Sequence, residues 1–152
     1  MRIAIGSDHG GFLLKGILVE YIRQLGHEVI DVGTDSSKSV DYPDFAEKVG
    51  KDIQSGKADR GIVLCGSGVG GCISANKMKG VYAAICHDAY SASQGVEHDN
   101  MNVLCLGERI VGDELAKVLV SGFLKARFIG NDPGEERHLR RTAKIKAIEE
   151  KG

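Results

Sequence analysis

A cysteine followed by a glycine-rich loop is the feature of this sequence best suited to chemistry. The segment reads Cys65-Gly66-Ser67-Gly68-Val69-Gly70-Gly71 and follows residues 60–64, an apolar run typical of a buried strand. Residues 72–78 after it are typical of a helix. Unpaired backbone N–H groups at a helix start, together with the aligned peptide dipoles, attract negative charge. Because the same field favours the thiolate form of Cys65, the segment offers a base or nucleophile beside a cradle for an oxyanion.

The same segment allows other interpretations. Gly66, Gly68 and Gly71 match the dinucleotide fingerprint, and Asp88 stands roughly twenty residues on, where the ribose-binding acid is expected. However, the loop follows the third predicted strand rather than the first, and a chain of 152 residues leaves little room for a nucleotide domain plus a catalytic domain. A thiol that is only core packing and a cysteine hydrolase, which needs a histidine to take the proton of Cys65, also stay open.

Composition narrows the class of protein. The 152 residues suit a single domain spanning 1–152, and 20 basic against 21 acidic residues argue against nucleic acid or a membrane surface as partner. No apolar run reaches membrane-spanning length and the first residues do not resemble a signal peptide, so we expect a cytoplasmic protein. Its four cysteines contain no C-x-x-C pair, and we expect them to be free thiols in a reducing compartment.

Apolar runs alternate with amphipathic segments along the whole chain. Strands are predicted at residues 3–6, 28–32, 60–64, 81–86 and 102–107. Helices are predicted at residues 11–25, 42–54, 72–78, 88–98, 113–126 and 135–150. Because the strands are apolar throughout, the pattern predicts an α/β fold of three layers, α/β/α, in which helices cover both faces of a five-stranded parallel sheet.

Ligands of such sheets bind at the carboxyl ends of the strands. Polar segments follow the first strand at residues 7–11, the third at the cysteine loop and the fifth at residues 107–109, and the fourth helix ends in residues 97–100. We expect these groups to converge on one rim of the sheet. Two of the segments contain a histidine beside a carboxylate, which is typical either of a helix cap or of acid–base chemistry.

A cluster of basic residues lies in the last predicted helix. Arg137, His138, Arg140 and Arg141 fall within about one and a half turns, and the first and last of these arginines share one face because they are four residues apart. The guanidinium group suits a phosphate clamp, since its donors form a fixed fork. A solvated helix face is the alternative interpretation.

Taken in order, these motifs resemble the ribose-5-phosphate isomerase B family, which includes the galactose-6-phosphate isomerase subunits. The resemblance covers nearly the whole chain through Ser7-Asp8-His9-Gly10-Gly11, Asp41-Tyr42-Pro43-Asp44, Cys65-Gly66-Ser67-Gly68-Val69-Gly70, Ser74-Ala75-Asn76-Lys77, Glu97-His98, Asn102-Val103-Leu104, and Arg137-His138 with Arg141. It implies a Rossmann-like fold and an aldose–ketose isomerase of phosphorylated sugars that needs neither a cofactor nor a metal. It also implies a homodimer or a tetramer with shared active sites, in which the helix at about 135–150 contributes to the dimer and to the phosphate site.

The resemblance implies a role for each matching residue. Cys65 is the general base that moves a proton between C1 and C2 through an enediolate, and a thiolate suits that task. His98 is the acid that assists opening of the furanose ring. Asp8 binds sugar hydroxyls. The developing oxyanion is held by the loop residues Gly66, Ser67, Gly68, Val69 and Gly70.

The phosphate site is implied to draw on His9, Arg109, Arg137 and Arg141, with His138 as a weaker member. The resemblance also implies that Asp99 lies beside the sugar, at a position where the family commonly has Asn. Residues 131–136 replace a short glycine pair before the arginines, and Gly71-Cys72 stands where bulkier residues are usual. Family members that lack the cysteine carry Glu at the position of Gly71.

The reaction that the resemblance implies is the interconversion of ribose 5-phosphate and ribulose 5-phosphate. Isomerisation of another sugar phosphate, such as galactose 6-phosphate, allose 6-phosphate or a tetrose phosphate, is the alternative within the same chemistry. A nucleotide-binding module without catalysis is the alternative outside it, because one fold hosts many functions.

Overall fold

A single parallel sheet forms the centre of the molecule. The computed structural model describes residues 1–152, and its sheet contains β1 (Arg2–Ser7), β2 (Glu28–Asp31), β3 (Arg60–Cys65), β4 (Ala83–Ile85) and β5 (Val103–Gly107). The strands lie in the order β2-β1-β3-β5-β4 and all neighbours pair in parallel. The predicted five-stranded parallel sheet is thereby confirmed.

Six α-helices surround this sheet. They are α1 (Phe12–Gln24), α2 (Tyr42–Gln54), α3 (Val69–Ala75), α4 (Ala89–Asp99), α5 (Asp113–Lys125) and α6 (Glu136–Lys151), and a short 3₁₀ turn at His9–Gly11 precedes α1. None of them combines the length and the apolar composition that crossing a membrane requires. Because a helix follows each strand, every connection between successive strands returns over one face of the sheet.

The two faces of the sheet carry separate cores, as alternation along the strands requires. On one face, Ile3, Ile62 and Leu104 pack with α1, α4 and α5 in a cluster of 20 buried residues. On the other face, Ala4 and Val63 pack with α2 and α3 in a cluster of 9 buried residues. The three-layer α/β/α fold is confirmed by this arrangement.

Two elements, α3 and β4, differ from their predicted bounds by more than one residue. α3 begins at Val69 rather than at residue 72, because the left-handed Gly68 (φ +84°) turns the chain directly into the helix and two glycines join its first turn. β4 spans three residues rather than residues 81–86, since the backbone N–H of Tyr82 donates to the side chain of Asn102 instead of to a strand. The tertiary contacts at the sheet edge outweigh the apolar pattern there.

Candidate active site

The carboxyl ends of three adjacent strands surround the candidate active site. β1, β3 and β5 are neighbours in the sheet, so the segments that follow them meet at one edge. A pocket of about 310 Å³ opens there and is lined by Asp8, Tyr42, Cys65, Gly66, Ser67, Gly70, Arg109 and Ile110. The structure therefore brings together the polar segments after the first, third and fifth strands.

Cys65 ends β3 and forms a wall of this pocket. Cys65 is only 4% exposed, and in the sheet it is the register partner of Gly107 in β5. Its thiol donates to no acceptor in the chain and accepts from no donor, so the sulfur is free to act on a bound molecule. A Cβ atom added at Gly71 would lie 3.5 Å from the sulfur, which places position 71 directly beside the thiol.

The loop after Cys65 presents backbone N–H groups. The Val69 N–H donates to Ser67 Oγ at 3.3 Å, which tightens the turn into α3. The N–H groups of Gly68, Gly70 and Gly71 donate to no group of the chain. Unpaired N–H groups at a helix start favour an anion, so the loop can hold an oxyanion beside the thiol.

Close packing fixes the position of this loop. A Cβ atom added at Gly107 would lie 2.6 Å from the backbone of Ser67, so only glycine permits this approach. The Gly107 N–H donates to Nε2 of His87 at 3.0 Å. Burial lowers the pKa of His87, which favours the neutral ring that can accept this hydrogen bond. Thus His87, which follows β4, holds Gly107 at the end of β5, and Gly107 in turn packs against the cysteine loop.

Asp8 and His9 extend the pocket along the edge of β1. A second cleft of about 450 Å³ shares Asp8 and Tyr42 with the first, so the two are adjacent, and His9 lines only the second. Asp8 is 6% exposed and its Oδ1 accepts from the Gly10 N–H at 2.8 Å. The Val40 N–H donates to Nδ1 of His9 at 3.2 Å, so the neutral ring carries its proton on Nε2 and can donate to an anion.

Arg109 brings a positive charge to the mouth of the pocket. Its backbone N–H donates to the carbonyl of Gly66 at 3.0 Å, which ties it to the cysteine loop. The guanidinium lies close to Gly66, because a Cβ atom there would be 3.8 Å from Cζ. The exposed side chain is therefore placed to bind an anionic group at the pocket entrance.

The expectation that residues 97–100 join the same rim was wrong within one chain. α4 starts near the carboxyl end of β4 and runs back, and its 11 residues span about 16 Å before the chain enters β5. Asp99 therefore lies with Tyr82, before β4, in a separate groove of about 440 Å³ along α6. Consequently His98 and Asp99 sit at the opposite edge of the sheet from Cys65.

The arginines of α6 belong to this second location. α6 packs against α4 rather than on the sheet, and Arg137 and Arg141 are exposed near its start. His138, between them, is buried, and its ring stacks on that of His98. Its Nε2 lies 3.2 Å from a carboxylate oxygen of Glu135, so it is not presented to a phosphate.

Tyr42 lines the pocket but was not among the predicted site residues. It is the first residue of α2, and a Cβ atom added at Gly70 would lie 2.5 Å from its ring. The Asp41-Tyr42-Pro43-Asp44 motif was the available signal, although it gave no reason to place the tyrosine beside the cysteine loop. No three His, Cys, Asp or Glu side chains come together in the chain as a set that could hold a metal ion.

The fold and the pocket define an α/β/α protein with a thiol at the carboxyl edge of its sheet, and the chain is similar to known proteins over nearly its whole length. The family model described as Ribose/Galactose Isomerase matches residues 3–145. Ribose-5-phosphate isomerase B of Escherichia coli (strain K12) is 44% identical over 150 residues, which cover 99% of this chain and 97% of that protein. D-erythrulose-4-phosphate isomerase of Pectobacterium atrosepticum is 43% identical over 131 residues, which cover 86% of each chain.

A solved structure agrees with these sequence matches. Ribose-5-phosphate isomerase B of Clostridium thermocellum superposes with a TM-score of 0.94 at 49% identity and covers 99% of both chains. The chain belongs to the ribose/galactose isomerase family. The resemblance inferred from its motifs is confirmed, and so is the prediction that the protein is a sugar isomerase.

Proposed function

We propose that this protein is a cofactor-free aldose–ketose isomerase that interconverts ribose 5-phosphate and ribulose 5-phosphate. The observation that carries the proposal is the pocket in which an unpartnered thiol, Cys65, faces loop N–H groups without partners and a buried carboxylate, Asp8. Ribose-5-phosphate isomerase B relatives from two organisms match nearly the whole chain, which supports the same substrate.

In this proposal the chemistry begins with opening of the furanose. The bond between C1 and the ring oxygen breaks, and its electron pair stays on that oxygen, which takes a proton from the His98 imidazolium. The C1 hydroxyl gives its proton to water and C1 becomes an aldehyde. A positioned acid of this kind contributes typically about 10²–10⁴-fold to the rate.

Proton transfer between the two carbons follows. The Cys65 thiolate takes the proton from C2, and the electrons move to O1 to give the enediolate. The N–H groups of Gly68, Gly70 and Gly71 stabilise that developing negative charge, which is usually a large contribution to catalysis. The proton of the O2 hydroxyl passes to O1, the thiol returns its proton to C1, and O2 becomes the carbonyl oxygen, which completes the ketose and regenerates the thiolate.

We infer that a second copy of the chain completes the site. His98, Arg137 and Arg141 lie away from Cys65 in one chain, whereas the mechanism needs acid and phosphate ligands at the same sugar. A twofold dimer places the same surface of each chain against its partner, so one chain can supply the thiol and the other the acid. His9 and Arg109 at the pocket complete the phosphate site in this arrangement.

A different sugar phosphate is the second candidate substrate. Asp99 follows His98 and is exposed, so it puts a carboxylate beside the acid where the family commonly has an amide. The relative from Pectobacterium atrosepticum, named for a tetrose phosphate, is about as similar as the relative from Escherichia coli. Sequence similarity therefore supports the chemistry more strongly than it supports the pentose.

The primary experiment measures isomerase kinetics on ribose 5-phosphate, allose 6-phosphate, galactose 6-phosphate and erythrose 4-phosphate. The highest kcat/KM is expected on ribose 5-phosphate, and Cys65→Ala should lower kcat by about 10²–10⁴-fold while KM changes little. Cys86→Ala is the matched control, because Cys86 is equally buried but lies in the core away from the pocket. Unchanged turnover in Cys65→Ala would exclude the thiol as the base.

A complementation experiment tests the shared site. Cys65→Ala and His98→Asn are each expected to be nearly inactive, but mixing the two chains allows hybrid dimers in which one of two sites is intact. Half of the dimers are then hybrids, so about a quarter of the wild-type activity should return. If mixing restores nothing although size-exclusion chromatography shows subunit exchange, the acid does not come from the second copy.

A further inference from the structure

A buried histidine of α6 contacts the histidine that is proposed to open the sugar ring. The rings of His98 and His138 stack with centroids 4.0 Å apart and planes inclined by 21°. His138 is only 3% exposed, whereas His98 is half-buried at the end of α4. A flat ring packed at this distance restricts rotation of its neighbour, so His138 determines the plane in which the His98 imidazole lies.

His138 is itself held in place. Its Nε2 is buried, and its one polar contact is Oε2 of Glu135 at 3.2 Å. Burial, with a further effect from the positive charges of His98 and Arg137, lowers the pKa of His138. Because two charged rings at this distance repel, the lowered pKa of His138 favours a neutral ring packed against His98.

A third group contacts a ring nitrogen of His98. Nε2 of Gln94, one turn earlier on α4, lies 3.0 Å from Nδ1 of His98. An amide carries both a donor and an acceptor, so by turning over it can partner either protonation state of Nδ1. Nε2 of His98 is then the nitrogen left to exchange a proton with a substrate.

We propose that His138 is a positioning residue for His98, whose ring it holds so that Nε2 faces the ring oxygen of a furanose bound at Cys65 of a second copy. The inference rests on the proposed function. Because Arg137 and Arg141 flank His138 on the same helix, the proposed phosphate clamp moves together with this positioning residue. The contact between α4 and α6 thus fixes the clamp and His98 relative to each other.

Two assays separate positioning of the acid from general damage to the site. Isomerisation of ribose 5-phosphate requires ring opening, whereas ribulose 5-phosphate has no furanose form. Exchange of deuterium from D₂O into C1 of ribulose 5-phosphate therefore reports proton transfer by Cys65 alone. A residue that acts through the ring-opening acid should affect the first assay and spare the second.

His138→Leu is expected to lower kcat on ribose 5-phosphate by about 10- to 100-fold, because a catalytic group displaced by about 1 Å can lose that much. The exchange rate on ribulose 5-phosphate should stay within about twofold of wild type, since Cys65 and its loop are untouched. His138→Phe keeps a flat ring and should recover most of the loss. His138→Gln, which lacks a ring but keeps a polar end toward Glu135, repeats the test if the leucine variant does not fold.

His27→Gln is the control, because His27 contacts the amino group of the N-terminus at 3.0 Å and lines neither the Cys65 pocket nor the groove along α6. The proposal is overturned if the leucine and glutamine variants keep the wild-type kcat, if both assays fall equally, or if the phenylalanine variant is no better than the leucine variant. A wild-type protein inactive in both assays would instead overturn the proposed function, so the two failures are distinguishable.

Discussion

Moving the base from position 65 to position 71 is the sharpest test of the pocket geometry. In a Cys65→Ala background, Gly71→Glu should raise kcat on ribose 5-phosphate by at least about 10-fold over Cys65→Ala alone, out of the roughly 10²–10⁴-fold that the missing base contributed. The reason is geometric. A Cβ at position 71 lies 3.5 Å from the sulfur, and a glutamate carboxylate extends two carbons further, so its oxygens reach the space that the sulfur leaves.

The substitution has a calculable cost in stability. The new Cβ would lie 2.7 Å from Cγ1 of Val63, which is only 1% exposed and must shift. Overpacking of this kind costs about 1–3 kcal/mol. At about 2–4 °C per kcal/mol for a chain of this size, the melting temperature should fall by about 2–12 °C. Activity and stability therefore move in opposite directions, which a general improvement of the fold would not produce.

The assay compares initial rates of Cys65→Ala with and without Gly71→Glu, beside a Gly71→Gln version. Gln has the same length and shape but no basic carboxylate, so it should lower the melting temperature by the same amount and restore no turnover. Equal rates for Glu and Gln, in proteins that still bind inorganic phosphate, would show that position 71 does not face the reacting carbon and would refute the placement of Cys65.

Three further predictions concern groups around the site. His87→Ala should lower the melting temperature by about 2–4 °C and reduce kcat, because the Gly107 N–H loses an acceptor worth about 1 kcal/mol. His87→Gln should keep the wild-type melting temperature and kcat, and equal behaviour of the two variants would contradict the prediction. Iodoacetamide at neutral pH should label Cys72 and spare Cys86. The pKa of Cys72 is lowered to about 7, mainly by a hydrogen bond from the thiol of Cys105, whereas burial raises the pKa of Cys86 to about 11. Peptide mass spectrometry measures which cysteine is labelled first, and equal labelling would contradict the prediction. The pKa values of His87 and His138 lie below their ordinary 6.5, so in acid these two groups bind more protons in the unfolded chain than in the folded one. Stability should therefore be lost as the pH falls below about 6.5. Scanning calorimetry at pH 7 and pH 5 measures this loss, which should be smaller in His87→Gln.

The sequence alone could have shown that His98 does not lie beside Cys65 in one chain. A helix that connects two parallel strands must run back across the sheet, so the end of α4 has to lie near the start of β5. The chain enters β5 at Val103, which pairs with Gly61 near the start of β3, and His98 lies only five residues earlier. Its separation from Cys65 in one chain follows from this rule, and this separation is why the proposed mechanism needs a second copy.

Other features depended on contacts that no local pattern contains. Nothing in the composition of β4 and β5 says that β5 lies between β3 and β4, because either order buries the same apolar residues. The ring of Tyr42 reaches the pocket only because α2 packs beside α3. His138 has the sequence context of a surface arginine cluster, and the packing of α6 on α4 is what buries it.

The sequence by itself determined the class of the protein. Turn glycines encode their own local geometry, and strictly alternating apolar strands and helices admit one type of layered fold. The cysteine loop, the parallel sheet and the family were therefore predictable. The tertiary structure decided which of these parts share a pocket. Strand order and helix packing depend on the total burial of surfaces far apart in the chain, and that sum is fixed only when all elements are in place.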